Sequence, residues 1–385
     1  MGRITEKSLK KEMTEYLCEL VSCDTTNPPG NEYICTSIIR KMMGELGMTI
    51  TVKGKKKNRI NVIGRIGEGE PIIALAGHVD VVPGGSGWKK TQPFKPRIIG
   101  TKVYGRGTED NKGGFVAVWA GIKLFLSRCL RFDGTIDLIA VADEEAGNTY
   151  GMEYLLKNGY RADYALVPDG GSMDELVIGE KGILWLRITS FGKQAHASTP
   201  HKGVNAIDNL NEFLFELKKI DWGKSTSEEF KPTTYNLGVI KGGNAPNIVP
   251  GEAMAEVDFR RPIGVSKEQI MAKVEKAVVK VQKKYKQARF SFETFEDTNP
   301  HLVSRENIVV KAFLSAAKDL KMWVGTKTMG GNTLGKLFNE AGISAVVHYP
   351  GTTETAHMTD EHVDVNELYQ GALLYSAFLE KLLIK

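Results

Sequence analysis

Apolar residues recur at two different spacings along the first part of the chain. Lys10 to Cys23 and Tyr33 to Met48 carry apolar side chains every three or four residues, which predicts two amphipathic helices. Apolar runs of strand length follow, namely INVIGRI, PIIALAGHVD, TIDLIAVADEE and DYALVPDG. Helix-like stretches such as GGFVAVWAGIKLFL separate several of these runs. Continuous Val, Ile and Leu runs indicate strands that are buried on both faces, as in a largely parallel sheet covered by helices.

From about Gly182 the apolar positions alternate with polar ones. ILWLRITSFG, TTYNLGVIKGG, AMAEVDFRRP and ARFSFETFE predict antiparallel strands, and two amphipathic helices, Val204 to Ile220 and Ser266 to Lys286, interrupt them. The first pattern returns after about Asp297. We therefore predict an α/β domain formed by residues 1–182 and 296–385, with a mixed, largely parallel sheet and helices on both faces. An α+β domain, an antiparallel sheet with two helices, is inserted over residues 183–295.

Composition and charge are those of an ordinary globular protein. Of the 385 residues, 42% are apolar and 25% charged, which is enough apolar surface for a sizeable core. The net charge of +5 is spread along the chain. The densest basic run, Lys53 to Lys57 with Arg59, is predicted to be a solvated turn, with a nucleic-acid patch as the alternative.

The cysteines and the N-terminal segment indicate the compartment. The four cysteines form no Cys-x-x-Cys pair and match no zinc-finger spacing, and they fit a reducing compartment. The N-terminal MGRITEKSLKKEM lacks the apolar centre of a signal peptide, and no apolar run approaches the length that spans a bilayer. We therefore expect a cytoplasmic protein that binds neither membranes nor nucleic acid.

Polar groups that can bind metals follow several of the apolar runs. Open α/β sheets bind ligands beyond the carboxyl ends of their strands. Carboxylates and imidazoles suit zinc, cobalt or manganese. Each of these residues also has an ordinary structural explanation as a cap or a surface group, so their spacing alone leaves both interpretations open. The residues are His78, Asp80, Asp110, Asp143, Glu144, Glu145, Asp169 and His357.

Six motifs occur in order along nearly the whole chain: GHVDVVP, GRGTEDNKGG, DEEAG, GKQAHASTP, NAPNIVP and AHMTDEH. Together they are highly specific, although each alone is weak. The chain resembles the di-zinc metallopeptidase and deacylase family of acetylornithine deacetylase, succinyl-diaminopimelate desuccinylase, aminoacylase, carboxypeptidase G and bacterial dipeptidases. The resemblance implies that the first domain is catalytic and that the inserted domain is a lid that also forms a dimer.

The resemblance implies two divalent metal ions, with zinc the first expectation and cobalt or manganese the alternatives. One carboxylate would bridge the ions, and the peptide bond after it would be cis. Asp110 is the bridging residue, His78 and Asp169 complete one site, and Glu145 and His357 complete the other. Two neighbouring dications need a shared anion, which the two oxygens of a carboxylate provide.

The residues around the ligands would have distinct roles. The resemblance makes Glu144 the general base and Asp80 the group that orients His78. Neighbouring residues on an extended segment point in opposite directions, so Glu145 could bind metal while Glu144 faces the water. Asp143 is expected to be structural.

The inserted domain is expected to contribute to the site. His196 matches a lid histidine that reaches the active site of the neighbouring subunit and stabilises the oxyanion, which predicts a homodimer through this domain. The remaining matches are residues that bind the carboxylate of the substrate: Asn247, Arg260, Gly330 and Gly331. Asn332 departs from the glycine-loop pattern of the family and is expected to reshape the pocket.

The predicted function is hydrolysis of the amide bond of an N-acyl amino acid or of a dipeptide with a free carboxylate. Asp169 and the sequence Glu180-Lys181-Gly182 favour a dipeptide slightly, but the two substrate classes stay open. A non-catalytic protein that binds amino-acid derivatives is the alternative from another class. A single-metal or phosphate-directed hydrolase is the third, although the chain lacks a P-loop.

Overall fold

The computed structural model describes residues 4–129 and 131–384, so the predicted outer domain limits at residues 1 and 385 lie outside the described residues. The chain divides into two compact units. Unit 1 comprises the chain up to Gly179, Val303–Lys327 and the chain from Gly331. Unit 2 comprises Glu180–Leu302 and Thr328–Gly330.

The helices in chain order are α1 (Glu6–Val21), α2 (Thr36–Glu45), α3 (Lys112–Arg128), α4 (Met152–Lys157), α5 (Ala206–Lys218), α6 (Lys267–Lys284), α7 (Ile308–Asp319), α8 (Leu334–Glu340) and α9 (Val365–Leu383). Short 3-10 helices span Glu32–Cys35, Glu144–Ala146 and Pro200–Lys202. The strands are β1 (Thr49–Lys56), β2 (Arg59–Glu68), β3 (Ile72–His78), β4 (Arg97–Ile99), β5 (Lys102–Tyr104), β6 (Gly134–Val141), β7 (Tyr164–Val167), β8 (Glu175–Glu180), β9 (Gly182–Phe191), β10 (Thr234–Gly242), β11 (Glu252–Arg261), β12 (Arg289–Asp297), β13 (His301–Leu302), β14 (Gly325–Met329), β15 (Ser344–Val347) and β16 (His362–Asp364).

Unit 1 is built on a mixed sheet. Its strands run in the order β1-β2-β6-β3-β7-β15-β8. The central pairs β6–β3, β3–β7 and β7–β15 are parallel, whereas β1–β2 and β2–β6 are antiparallel. Every residue of β6 is buried, which is what a continuous apolar run predicts for a strand covered on both faces.

The central helix α3 is mostly apolar, and its residues from Lys112 to Phe125 are buried except Lys123, which matches its position between α1 and α9. Its largest side chains, Phe115, Trp119 and Phe125, are fully buried. The helices and the sheet together confirm the predicted α/β class for this unit.

Unit 2 contains an antiparallel sheet in the order β10-β11-β9-β12. Buried residues alternate along β11, and the apolar side chains pack against α5 and α6. Phe213 of α5 is fully buried and lies with its ring centroid 4.8 Å from that of Phe290. The antiparallel sheet with two helices is the inserted α+β architecture that the alternating pattern predicts.

The carboxyl ends of the central parallel strands lie at one edge of the sheet. His78 is the last residue of β3, the acidic turn starts two residues after β6, and Asp169 comes two residues after β7. In residues 4–129 and 131–384, no helix combines the length and the apolar character needed to cross a bilayer.

Candidate metal centre

One cluster of potential ligands forms where β3 and β7 end. His78 is buried, and its Nε2 lies 2.8 Å from Oδ1 of Asp110 and 3.8 Å from Oδ2 of Asp169. Ligand atoms of these three residues all lie within 4.8 Å of one another. The arrangement can therefore hold one cation with a nitrogen and two carboxylate oxygens.

A second cluster uses the other oxygen of the same aspartate. Nε2 of His357 lies 3.0 Å from Oδ2 of Asp110 and 3.2 Å from Oε1 of Glu145. The His357 side chain is 50% exposed, whereas that of His78 is 1% exposed. The two clusters therefore form an inner and an outer position joined by Asp110.

The donor set and its spacing fit two divalent ions. Zinc binds carboxylate oxygen and imidazole nitrogen at roughly 2.0–2.2 Å, which places two tetrahedral ligands about 3.4 Å apart. The contacts of 2.8 and 3.8 Å at the inner position bracket that spacing, and those of 3.0 and 3.2 Å at the outer position are slightly shorter. The five predicted ligands are thus brought together: His78, Asp110, Glu145, Asp169 and His357.

The segment that carries Asp110 is held closely against the end of β7. The Asp110–Asn111 peptide is cis, which confirms the bond expected from the resemblance. Helix α3 begins just after it, and a Cβ on Gly114 would lie 2.1 Å from the Pro168 carbonyl oxygen. Only glycine permits this approach, which places the Asp110 segment beside Asp169.

The acidic turn after β6 differs from its predicted conformation. Glu144 and Glu145 begin a 3-10 turn rather than lying on an extended segment, because Asp143 before them adopts left-handed backbone angles (φ 64°). Asp80 holds this turn: its Oδ1 accepts from the Glu144 amide at 3.0 Å and its Oδ2 from the Glu145 amide at 3.1 Å. The two side chains separate through the turn, not through strand alternation.

Asp80 also lies beside His78, as predicted. Nδ1 of His78 is 3.1 Å from the Asp80 backbone oxygen and 3.5 Å from its Oδ1. A hydrogen on Nδ1 satisfies the backbone oxygen and leaves Nε2 free to bind a cation that would lie between it and Asp110. Asp80 therefore fixes both an imidazole and the acidic turn.

A buried polar network behind the turn was not predicted. Arg59 donates to both oxygens of Glu32 and, at 2.6 Å, to Oδ1 of Asp143. The Asn27 amide joins Asp143 to Asp80, at 3.0 and 2.8 Å. Arg59 is 5% exposed, so its assignment to a solvated turn was wrong. Asp143 has the structural role that was expected of it.

The clustered carboxylates shift one another's pKa values. Burial raises the pKa of Glu144 well above its ordinary value; His78 opposes this shift, and the surrounding carboxylates add to it. Hydrogen bonds to Asp110 and Glu145 raise the pKa of His357 to about 10. A site with this density of negative charge is one that cations stabilise.

In unit 2, His196 and Asn247 lie on two adjoining loops. His196 forms a bridge with Ile248, and the Asn247 carbonyl accepts from the Ala197 amide at 3.1 Å. Both His196 and Asn247 are exposed. Nδ1 of His196 accepts the Ser198 amide hydrogen at 3.1 Å, which leaves the hydrogen of a neutral imidazole on Nε2.

Arg260 and Gly330 meet elsewhere in unit 2. The guanidinium of Arg260 pairs with both oxygens of Asp258, and its Nη1 donates to the Gly330 carbonyl at 3.1 Å. Gly331 is half-buried and Asn332 is exposed, and both belong to unit 1.

Comparison with known proteins identifies the family. Residues 178–286 match the peptidase dimerisation domain of the M20 group. The chain is 31% identical over 349 residues to an uncharacterised metallohydrolase of Methanocaldococcus jannaschii, covering 84% of each protein. The chain belongs to the M20 family of metallohydrolases. This membership confirms the resemblance inferred from the six motifs.

Two solved M20-type structures share the fold. The aminopeptidase PepT from Bacillus cereus superposes with a TM-score of 0.81 at 24% identity, covering 97% of this chain and 98% of that one. The YXEP protein of Bacillus subtilis, described as a dinuclear metal-binding peptidase, gives 0.73 at 16% identity, with 97% and 98% coverage. At these identities the likeness supports the architecture alone.

Proposed function

We propose that this M20 protein hydrolyses the amide bond of an N-acyl amino acid or of a dipeptide with a free carboxylate. The observation that carries the proposal is the shared aspartate. The two oxygens of Asp110 face two different imidazoles, at 2.8 and 3.0 Å, and each imidazole has a further carboxylate beside it. This is the arrangement that a two-ion hydrolytic centre needs.

Two bound divalent ions, zinc in our proposal, would polarise the amide carbonyl and bring the pKa of water towards neutrality. Glu144 would accept the proton of the attacking water and pass it to the leaving amine. Its carboxylate lies at the inner position, with Oε2 4.0 Å from Nε2 of His78. Asp80 would keep Glu144 in place through the hydrogen bond that its Oδ1 accepts from the Glu144 backbone amide at 3.0 Å.

His196 would stabilise the oxyanion of the tetrahedral intermediate. An imidazole with its hydrogen on Nε2 is a suitable donor to developing negative charge. We propose that His196 acts in the active site of the partner subunit, which requires a homodimer formed by the inserted domain. The match of residues 178–286 to a peptidase dimerisation domain supports this assembly.

Arg260 would bind the substrate carboxylate together with Asn247 and the amides of Gly330 and Gly331. Although Arg260 pairs with Asp258, its Nη1 and Nη2 each carry a second hydrogen that a carboxylate can accept. Asn332 would shape the adjoining part of the pocket. We further propose a cytoplasmic location, which the four free cysteines support.

The substitution Glu144→Gln tests the mechanism directly. It keeps the size of the side chain but removes the proton acceptor, so we expect kcat to fall by about 10²–10⁴-fold. Metal content, measured by elemental analysis, should stay at two ions per chain. The surface substitution Glu153→Gln in α4 is the control. Unchanged hydrolysis by Glu144→Gln with full metal content would refute the role of Glu144.

The substrate is determined with a panel of N-acetyl amino acids, N-succinyl amino acids and dipeptides. Metal-dependent turnover of any of these supports the proposal, and the preferred group separates deacylase from dipeptidase. If the metal-loaded protein binds the compounds without turnover, the alternative of a binding protein is correct. Well under two ions per chain after metal loading would favour a single-metal enzyme.

A further inference from the structure

A buried carboxylate outside the ligand set fastens the segment that carries Asp110. Glu361 is 0% exposed, and its Oε1 accepts three backbone amide hydrogens. The donors are Gly107 at 3.0 Å, Glu109 at 2.9 Å and Asp110 itself at 3.2 Å. The Glu361 carbonyl accepts a fourth, from Gly105 at 2.9 Å. One residue therefore fixes the backbone from Gly105 to the bridging aspartate.

The other oxygen of Glu361 pairs with Arg106, which holds the segment that carries His357. Arg106 is 2% exposed, and its Nη1 donates to Oε2 of Glu361 and, at 3.1 Å, to the Met358 carbonyl. Its Nη2 donates to the carbonyl of His357 at 3.2 Å. The Arg106–Glu361 pair thus joins the backbones of Asp110 and His357, two of the three residues at the outer metal position.

The conformation of His357 shows why this tie is needed. Its backbone has a φ of 64°, in the left-handed region that favours glycine. A non-glycine residue in a sparsely populated region is strained and persists only when its surroundings fix it. Arg106 supplies such a contact directly at the His357 carbonyl. A second tie, from the Thr355 hydroxyl to Oε2 of Glu109 at 2.7 Å, joins the same two segments.

We propose that Arg106 and Glu361 are positioning residues that hold Asp110 and His357 at the spacing required by the outer metal ion. Neither side chain is a ligand in the centre proposed above, on which this inference rests. The inner position also depends on β3 and on the end of β7, which the pair does not touch. Loss of the pair should therefore weaken the outer site selectively.

The test is a titration of chelator-treated protein with Co²⁺, followed by calorimetry and by the visible spectrum of the bound ion. We expect wild-type protein to bind two ions. We expect the second ion to occupy the outer position. In Glu361→Ala the affinity for this second ion should fall by about 10–100-fold, the loss typical of removing a residue that supports a metal ligand. The affinity for the first ion should change much less.

Two conservative variants separate positioning from general stability. Glu361→Gln keeps an oxygen that can accept the three amides and should lose less affinity than Glu361→Ala. Arg106→Lys keeps the charge but cannot reach both partners with a planar fork, so it should weaken the second ion although Glu361 is intact. If Glu361→Ala fails to fold, these two variants carry the test.

Arg65→Met is the matched control, since it breaks an Arg–carboxylate pair of unit 1 that contacts neither ligand segment. It should leave both Co²⁺ affinities unchanged. Equal weakening of both ions in the Glu361 and Arg106 variants, or no weakening at all, would overturn the positioning role. Wild-type protein that binds only one ion would instead overturn the proposed two-ion centre.

Discussion

Replacement of Arg59 by methionine tests the network behind the acidic turn. The Arg59 side chain is 6% exposed and lies between the carboxylates of Glu32 (0% exposed) and Asp143 (3%). Methionine has a similar length but no charge, so the variant leaves two carboxylates buried without their cation. Removing one partner of a buried ion pair costs about 3–5 kcal/mol.

Hydrogen exchange with mass spectrometry measures this cost locally. At about 1.4 kcal/mol per tenfold change, we expect exchange of the peptides spanning 24–33 and 143–151 to accelerate by at least about 10²-fold.

The effect should also depend on pH. Burial already raises the pKa of Glu32 above its ordinary value of 4.5, and loss of Arg59 raises it further. The variant therefore folds with Glu32 protonated at acid pH, and its deficit grows as the pH rises towards neutrality.

Arg65→Met is again the appropriate control. Arg65 lies on the same strand and pairs with both oxygens of Asp137 at 2.7 Å, but its side chain is 47% exposed. Asp137 also keeps its bond from the Tyr160 hydroxyl at 2.9 Å. We expect a clearly smaller change. If Arg59→Met accelerates exchange no more than Arg65→Met does, the argument from buried charge is refuted.

Three further substitutions test other parts of the fold. Gly114→Ala forces a methyl group towards the Pro168 carbonyl, so metal content by elemental analysis should fall, whereas Gly44→Ala, with open space around its Cβ, should retain it. Burial lowers the pKa of His348 to about 4, so between pH 6.5 and 4 this histidine gains a proton only in the unfolded chain. The free energy of unfolding, measured with urea, should therefore fall by about 3 kcal/mol over this range, and His348→Gln should flatten its dependence on pH. Ser266→Ala removes a capping box at the start of α6 and should cost about 0.5–2 kcal/mol in thermal unfolding, an effect that would be absent if the cap were redundant.

The strands that build the site could be predicted because burial on both faces leaves a plain sequence signal. β3 and β7 appear as apolar runs, β6 as a run interrupted by Thr135 and Asp137, and all three end next to candidate ligands. β1 was missed because it is an edge strand with mostly exposed side chains, and its lysines hide the β-branched residues before them. An exposed strand carries little periodic signal.

Motif order predicted which candidate ligands converge, but sequence could not reveal the residues that hold them. Glu361 and Arg106 are charged residues of the kind that is usually solvated, and their burial arises only when distant segments pack together. The conformation of the acidic turn could likewise not be predicted from the sequence, because the left-handed backbone of Asp143 depends on hydrogen bonds with Glu32 and Asn27. The catalytic and substrate-binding roles of the predicted residues stay predictions until the variants are measured.

The unequal exposure of the two histidines has a consequence for exchange kinetics. An ion at the outer position can leave through the side that His357 presents to water, whereas an ion at the inner position is enclosed by His78 and the strand ends. We therefore expect a chelator to strip the two ions in sequence, with a fast and a slow phase. A protein that meets changing metal supply would then pass through a half-loaded form in which the enclosed ion is the one retained.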